Sequence, residues 1–483
     1  MAQLSRRELL RRTALAAALG LPALRLVDTA AAGAETDPRI RALAKALRGP
    51  VLTPGSAAYA NAPGVFDSLY DGIRPLAIAQ PLDAHDVARA VDWARTSGVH
   101  IAARSGGHSY GGYCTTTGVV VDLSRLASVH VGSGTAAIGP GARLGDIYDA
   151  LDRHGRAIPA GTCPTVGIGG HALGGGFGLA SRAWGLASDN LVSLQVVTAD
   201  GRIRTADAHR ASDLFWACRG GGGGNFGIVT SLVFRTHEVS SGSYFIATWP
   251  WAQAAQVVES FLRWAPFAPD GLGSLCRLST GPGGPAVQVF GQYFGGEPAL
   301  RAALRTLGPP AEKLDIGSSS WIDLVRRWAG CLGHTLPSCS TPGHQAFVGA
   351  SDYVAKVPTA AHASLFTEAI DARGALPGAL LVDAYGGALN RVSPSATAFA
   401  HRGMLASIQY FATGEPTSAR RWVNASRATL APATSGAAYV NYIDPALKDW
   451  QRAYYGANLP RLQRVKRRYD PHNLFRFAQS VRQ

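Results

Sequence analysis

A chain of 483 residues with 47% hydrophobic content is long enough to bury a large core and fits two domains better than one. Its 57 glycines exceed average usage and are clustered, so they mark particular loops and exclude a uniformly disordered chain. The net charge of +14 rests almost wholly on arginine, with lysine only at positions 45, 313, 356, 448 and 466. The densest basic run, Arg461 to Asn473, reads as a solvated helix face, and without any accompanying motif it gives no ground for a nucleic-acid partner.

The chain begins with a charged segment, Ser5 to Arg12, followed by a short apolar run and small residues near Ala30 to Ala34. That order reads as an export signal over residues 1–34. Adjacent Arg6 and Arg7, with Leu9 and Leu10 behind them, resemble the twin-arginine type, which carries folded proteins. No other apolar run is long enough to span a bilayer, so a soluble exported protein with no membrane partner is expected. Export permits disulfides. Of the six cysteines, Cys331 and Cys339 bracket a short Gly/Pro/Ser loop and are the pair expected to bond; Cys114, Cys218 and Cys276 read as small buried hydrophobes.

In chain order, the spacing of Val87, Val91 and Ala94 predicts a helix over Asp86 to Ser97. A short strand follows and enters the first glycine-rich loop, Arg104 to Gly112 (RSGGHSYGG), and a second strand leaves it. After a strand near Ala136 and a helix over Leu144 to Leu151 comes the second glycine-rich loop, Gly161 to Gly178. A hairpin is expected around Asp200-Gly201, then a helix, the run Gly220 to Gly224 and a strand. These alternations read as one mixed α/β domain to about residue 240. Beyond it, helices such as Thr359 to Ala372 and strand-like runs at 286–294, 379–384 and 405–411 read as a second, α+β domain. Tyr439 to Tyr442 (YVNY) reads as part of an aromatic strand.

Dense glycine lets backbone N–H groups close on a flat, phosphate-bearing ligand, and the two loops offer His108 and Cys163 to it. A redox cofactor held covalently at two points accounts for both. One competing signal, Gly167 to Ala172 followed by Asp189, fits a dinucleotide fingerprint, but that motif needs a hydrophobic strand immediately upstream. The residues upstream are broken by Pro159, Gly161 and Pro164. No metal-ligand spacing appears.

Taken together and in this order, RSGGHSYGG, CPTVGIGGH, GGGGNFGIVT, YVNY and DPHNLFRFAQS resemble the berberine-bridge-enzyme-like FAD oxidases of the vanillyl-alcohol-oxidase superfamily, from about residue 65 to the end. The resemblance implies an α+β chain. A PCMH-type FAD-binding domain would form from residues 50–240 and 436–483, around a substrate domain of antiparallel sheet and covering helices at 241–435. It implies FAD bonded through His108 at the flavin 8α-methyl and through Cys163 at ring carbon 6. Arg104, Ser105, Gly106, Gly107, Ser109 and Gly112 would wrap the diphosphate. Gly161, Thr162, Thr165, Val166, Gly167, Gly169, Gly170, His171, Gly174 and Gly178 would run beside the ring and ribityl chain. Asn225, Gly227, Ile228, Val229, Asn441 and Asn473 complete the implied cofactor set. Val166 stands where valine in relatives leaves dioxygen access to the reduced flavin.

The resemblance makes Tyr442 the base, with Asp383 as its proton partner and Tyr385 as a second active-site phenol. The implied reaction moves a hydride from the hydroxyl-bearing carbon of a small-molecule alcohol or sugar, with dioxygen reduced to hydrogen peroxide. Oligosaccharides and glycosylated or polyketide-like natural products are the competing substrates. The alternatives are a dehydrogenase with another electron acceptor, a carbon–carbon bond-forming oxidase on an amine, and a flavin-retaining binding protein.

Overall fold

The computed structural model describes residues 37–483 apart from 63, 337–338 and 340–343. The expected export signal lies outside the described residues. The chain first builds a small sheet in which Ala77–Ala79, Val119–Asp122 and Ile101–Arg104 run parallel, with Val51–Leu52 antiparallel at one edge. Helix Ala84–Ser97 covers it. Its start is capped by Asp83, whose carboxylate accepts from the Asp86 N–H, and its end by Gly98 at φ +69°. Val87, Ala90, Val91 and Ala94 form its buried face, as the helical period requires.

A five-stranded antiparallel sheet follows, in the order Val129–Val131, Thr135–Ile138, Ile228–Arg235, Leu191–Val197, Ile203–Asp207. The Asp200-Gly201 turn is where the sequence puts it: Val197 pairs with Ile203, and Gly201 takes φ +74°. The core of this region also takes in Leu462, Val465 and Tyr469 of helix Leu459–Tyr469, so the end of the chain packs back on its first half.

Between these lies a seven-stranded antiparallel sheet in the order Lys313–Ser320, Ser241–Trp249, Ala286–Tyr293, Leu272–Thr280, Gly378–Ala384, Ala406–Thr413, Phe347–Val354. Period-two alternation gives its two faces different work. Leu380, Val382, Ile408, Tyr410 and Val289 bury with residues of helices Ala254–Trp264, Ala360–Asp371 and Pro416–Leu430. Leu381, Asp383, Gln409, Phe411 and Phe290, of opposite parity, face a cavity against the two glycine-rich loops. Arg182 fastens this sheet to the first half: its buried guanidinium donates to the carbonyls of Leu272 (2.8 Å) and Pro266 (2.9 Å), and also to those of Ala268 and Tyr385.

One expected element is absent. Val440–Tyr442 is a 3₁₀ turn and not a strand. The Tyr442 N–H donates to the Tyr439 carbonyl (2.9 Å), while the Tyr439 N–H is taken by Ser351 Oγ (2.8 Å), so the main chain turns and no ladder forms. Three residues per turn bring positions 439 and 442 to the same side, where their rings meet edge to face with centroids 5.1 Å apart. A strand would have sent them to opposite faces.

Cys331 and Cys339 form a disulfide with Cα atoms 5.8 Å apart. No helix among the described residues is long and apolar enough to cross a membrane.

Candidate active site

A cavity of about 600 Å³ runs from the glycine-rich loops to the inner face of the seven-stranded sheet. Its floor depends on glycine for two separate reasons. Some glycines let the loops touch: a Cβ on Gly106 would stand 2.2 Å from the Gly167 nitrogen, and one on Gly178 would stand 1.9 Å from the Ala160 carbonyl oxygen. Others leave room. A Cβ on Gly170 would meet nothing within 4 Å, and one on Gly223 would come no closer than 3.6 Å to its nearest neighbour. Both line the cavity, so the space their missing side chains leave is open to a ligand lying against the backbone. That cradle fits a long, flat, phosphate-bearing cofactor.

His108 and Cys163 both line the cavity, and one hydroxyl stands between them: Thr165 Oγ1 is 2.9 Å from His108 Nε2 and 3.6 Å from Cys163 Sγ. Phe66 stacks on the imidazole with ring centroids 4.0 Å apart. Burial, with smaller pushes from Arg143 and His171, lowers His108 to about 4, so the ring is uncharged at neutral pH. His171 is lowered to about 4 by burial alone, and its Nε2 accepts from the Gly161 N–H (3.0 Å), which fixes the turn that carries Cys163.

Tyr442 and Asp383 also face into the cavity, each without a hydrogen-bonding side-chain partner among the described residues. Burial raises the Asp383 carboxyl to about 8 and the Tyr442 phenol well above its ordinary value, the Asp383 charge adding to the latter. Tyr439, behind Tyr442, differs. Its oxygen accepts from the Gly176 N–H (2.8 Å) and from Asn441 Nδ2 (2.8 Å), and these donors hold it at about 12 despite complete burial. Asn441 also donates to the His171 carbonyl (2.9 Å), tying the tyrosine turn to the second glycine loop.

Several expected residues do not reach the cavity. The Arg104 guanidinium pairs with Asp122 (3.0 Å) in the interior and does not line the cavity. Gly112, at φ +69°, serves close packing, since a Cβ there would lie 2.5 Å from the Tyr70 ring. Thr165 stands behind His108 and Cys163 and does not line the cavity. Gly174 admits Asn441, whose Oδ1 would be 2.0 Å from a Cβ at that position. Asn473 holds a left-handed turn at φ +52° after helix Leu459–Tyr469, and Phe475, Arg476 and Phe477 reach the cavity in its place. Tyr385 is fully buried behind the wall, stacked on Phe177 (5.0 Å) and with its hydroxyl 3.5 Å from that of Tyr353, and it does not line the cavity.

The remaining expected residues line the cavity: Ser105, Gly106, Gly107, Ser109, Gly161, Thr162, Val166, Gly167, Gly169, Gly170, His171, Gly178, Asn225, Gly227, Ile228, Val229 and Asn441. The sequence reading missed Phe66, Tyr110, Trp328, Gln409 and Phe411. Tyr110 sits inside a quoted motif, and alternation along Ala406–Thr413 pairs Gln409 with Phe411 once the cavity face is known. Phe66 and Trp328 carry no local signal. Among the described residues no group of three metal-ligating side chains occurs.

A PCMH-type arrangement with this glycine cradle defines the class: an FAD-dependent oxidoreductase. The FAD binding domain family matches residues 75–207, and the family described as berberine and berberine like matches residues 438–482. The chain is 35% identical to the FAD-linked oxidoreductase YgaK of Bacillus subtilis, covering 82% of this chain and 88% of that one. It is 34% identical to the chitooligosaccharide oxidase of Gibberella zeae, covering 84% and 87%. Among solved structures, BBE-like 1 of Physcomitrella patens superposes with a TM-score of 0.85 at 32% identity, covering 92% of this chain and 98% of that one. The protein belongs to the berberine-bridge-enzyme-like family of FAD-linked oxidoreductases.

Proposed function

We propose that this protein is an exported oxidase of a sugar or oligosaccharide, oxidising a hemiacetal hydroxyl with FAD bound covalently through His108 and Cys163. One observation carries the reading: the His108–Cys163 pair and the Tyr442–Asp383 pair open onto the same cavity. FAD, when bound, supplies the hydride acceptor and passes two electrons to dioxygen, giving hydrogen peroxide. His108, uncharged at neutral pH, has a lone pair to offer for the attachment. Val166 on the cavity wall supports dioxygen, and not a separate acceptor, as the oxidant.

Hydride loss from a hydroxyl-bearing carbon requires the hydroxyl proton to leave as well. The Tyr442 phenol, pushed well above its ordinary value, keeps its own proton at neutral pH, so it accepts another only by passing its own on. The unpartnered Asp383, once ionised above its raised value of about 8, is the acceptor facing the same space. A substrate hydroxyl seated between them donates to Tyr442 Oη while the phenolic proton moves toward Asp383. The rings of Tyr110, Phe290, Trp328 and Phe411 give the cavity flat apolar faces of the kind that stack on the C–H faces of a sugar ring. The name of the chitooligosaccharide oxidase relative supports the same substrate class. Arg6 and Arg7 support export by the twin-arginine route.

The test is turnover of a panel of mono- and oligosaccharides and hydroxylated aromatics with purified protein, read by peroxide release. Stoichiometric peroxide with a sugar supports the reading. Rapid dye reduction with negligible oxygen use would overturn the oxidase.

A further inference from the structure

The imidazole of His108 is held on one edge and on one face by different parts of the chain. On the edge, Nε2 lies 2.9 Å from Thr165 Oγ1, which leaves Nδ1 as the nitrogen with no hydrogen-bond partner among the described residues. An edge contact resists a flip of the ring but leaves it free to tilt about the Cβ–Cγ bond, a soft torsion in histidine. Tilt matters, because the nitrogen lone pair lies in the ring plane and must point at the atom it bonds. The face contact is Phe66, which stacks on the imidazole with centroids 4.0 Å apart and planes 19° from parallel. Phe66 is itself fixed. Its N–H donates to the carbonyl of Gly107, the residue before His108 (2.9 Å). Gly107 takes φ +77°, and a Cβ there would stand 2.8 Å from the Gly64 carbonyl oxygen, so glycine is what lets the two backbones lie this close. Phe347, the first residue of a strand in the seven-stranded sheet, meets the Phe66 ring at 60° with centroids 5.9 Å apart.

We propose that Phe66 is a positioning residue for the flavin bond to His108: its ring, fixed against the first glycine loop, holds the imidazole plane for bond formation. The proposal rests on the covalent reading of His108. That bond exchanges a C–H of the flavin methyl and an imidazole N–H for a C–N bond. The two electrons and two protons so released go to dioxygen as hydrogen peroxide. Among the described residues no other ring meets the imidazole, so nothing else supplies the face contact. The same contact covers one face of the ring from water, and burial is the largest reason that His108 stays uncharged and keeps a lone pair to offer.

The test uses the full-length protein carrying Cys163→Ala, in which acid-stable flavin counts the His108 bond alone. This parent is compared with the same chain carrying Phe66→Leu, Phe66→Met or Phe66→Tyr. Each is purified as expressed and denatured in acid. Flavin kept on the polypeptide is divided by flavin bound before denaturation, and the flavin-bearing peptide is identified by mass as the one that holds His108. The ratio counts loaded chains only, so a loss of folded protein does not enter it. Phe66→Leu keeps apolar bulk without a flat face and should lower the ratio about two- to tenfold, the scale of one aromatic pair. Phe66→Met gives the same reading if the leucine variant binds no flavin. Phe66→Tyr should keep the parent's ratio, since it retains the ring. A ratio in Phe66→Leu or Phe66→Met equal to the parent's would overturn the proposal and leave the covalent reading standing, and so would a ratio in Phe66→Tyr as low as theirs. A parent that releases all its flavin in acid would overturn the His108 attachment and the proposal together.

Discussion

Tyr110 and Tyr442 lie stacked, ring centroids 5.3 Å apart and planes 22° from parallel, although one belongs to the first glycine loop and the other closes a turn near the chain's end. The Tyr110 hydroxyl accepts from Gln409 Nε2 on the seven-stranded sheet, and Gly349 lacks the Cβ that would strike the Tyr110 ring at 2.6 Å. The proposed base is thereby held against one ring that is itself fixed to the sheet, and Tyr439 supports its edge. An offset aromatic pair of this kind contributes about 0.5–1.5 kcal/mol beyond its burial.

Tyr442→Phe keeps both ring contacts and removes the only group at that position able to take a proton. Substrate-driven flavin reduction should slow by roughly 10²–10⁴-fold, the usual share of general base catalysis, with flavin content unchanged. Stopped-flow reduction under anaerobic conditions measures it. Unchanged reduction would remove Tyr442 from the mechanism.

Asp383, with burial raising its carboxyl to about 8, must lose its proton before it can receive one from Tyr442. Below about 8 the acid form dominates and turnover is slow; turnover should rise with pH through that value and level off above it. Asp383→Asn should abolish this limb while leaving flavin bound. A wild-type profile that falls through the same range would contradict the assignment.

The two classes of floor glycine separate by experiment. Gly170→Leu fills space open to the ligand, so flavin content per chain should drop with the far-ultraviolet circular dichroism unchanged. Gly178→Ala drives a methyl to 1.9 Å from the backbone oxygen of Ala160 and should destabilise the fold by about 1–3 kcal/mol, read as a lower unfolding midpoint.

Val166→Leu adds one methylene to the cavity wall. Oxygen consumption should fall by about tenfold or more, the scale on which one methylene alters fit, while reduction of an artificial dye persists. Equal loss of both activities would show general damage to the site and not control of oxygen.

The local signals in this sequence were short-range ones. Helical period located a helix over Asp86 to Ser97, which starts two residues earlier, at Ala84; Asp200-Gly201 located a hairpin; and glycine density marked the two loops that line the cavity beside His108 and Cys163. Tyr439 to Tyr442 misled because aromatic residues favour strands intrinsically, and the competing hydrogen bond from Tyr439 N to Ser351 Oγ comes from a strand far away in the chain.

The sequence by itself determined the family, and with it FAD as the cofactor, through five motifs in a fixed order, and it marked the two glycine-rich loops and the candidate pair His108 and Cys163, because these are features of short segments. Only the tertiary structure decided that Thr165 stands between His108 and Cys163, that Tyr385 lies behind the wall, and that Gln409 and Phe411 complete the cavity. The place of Gln409 and Phe411 depends on which face of the seven-stranded sheet the three helices cover. That choice is made by burying Leu380, Val382 and Ile408 together, an event no short window of sequence contains.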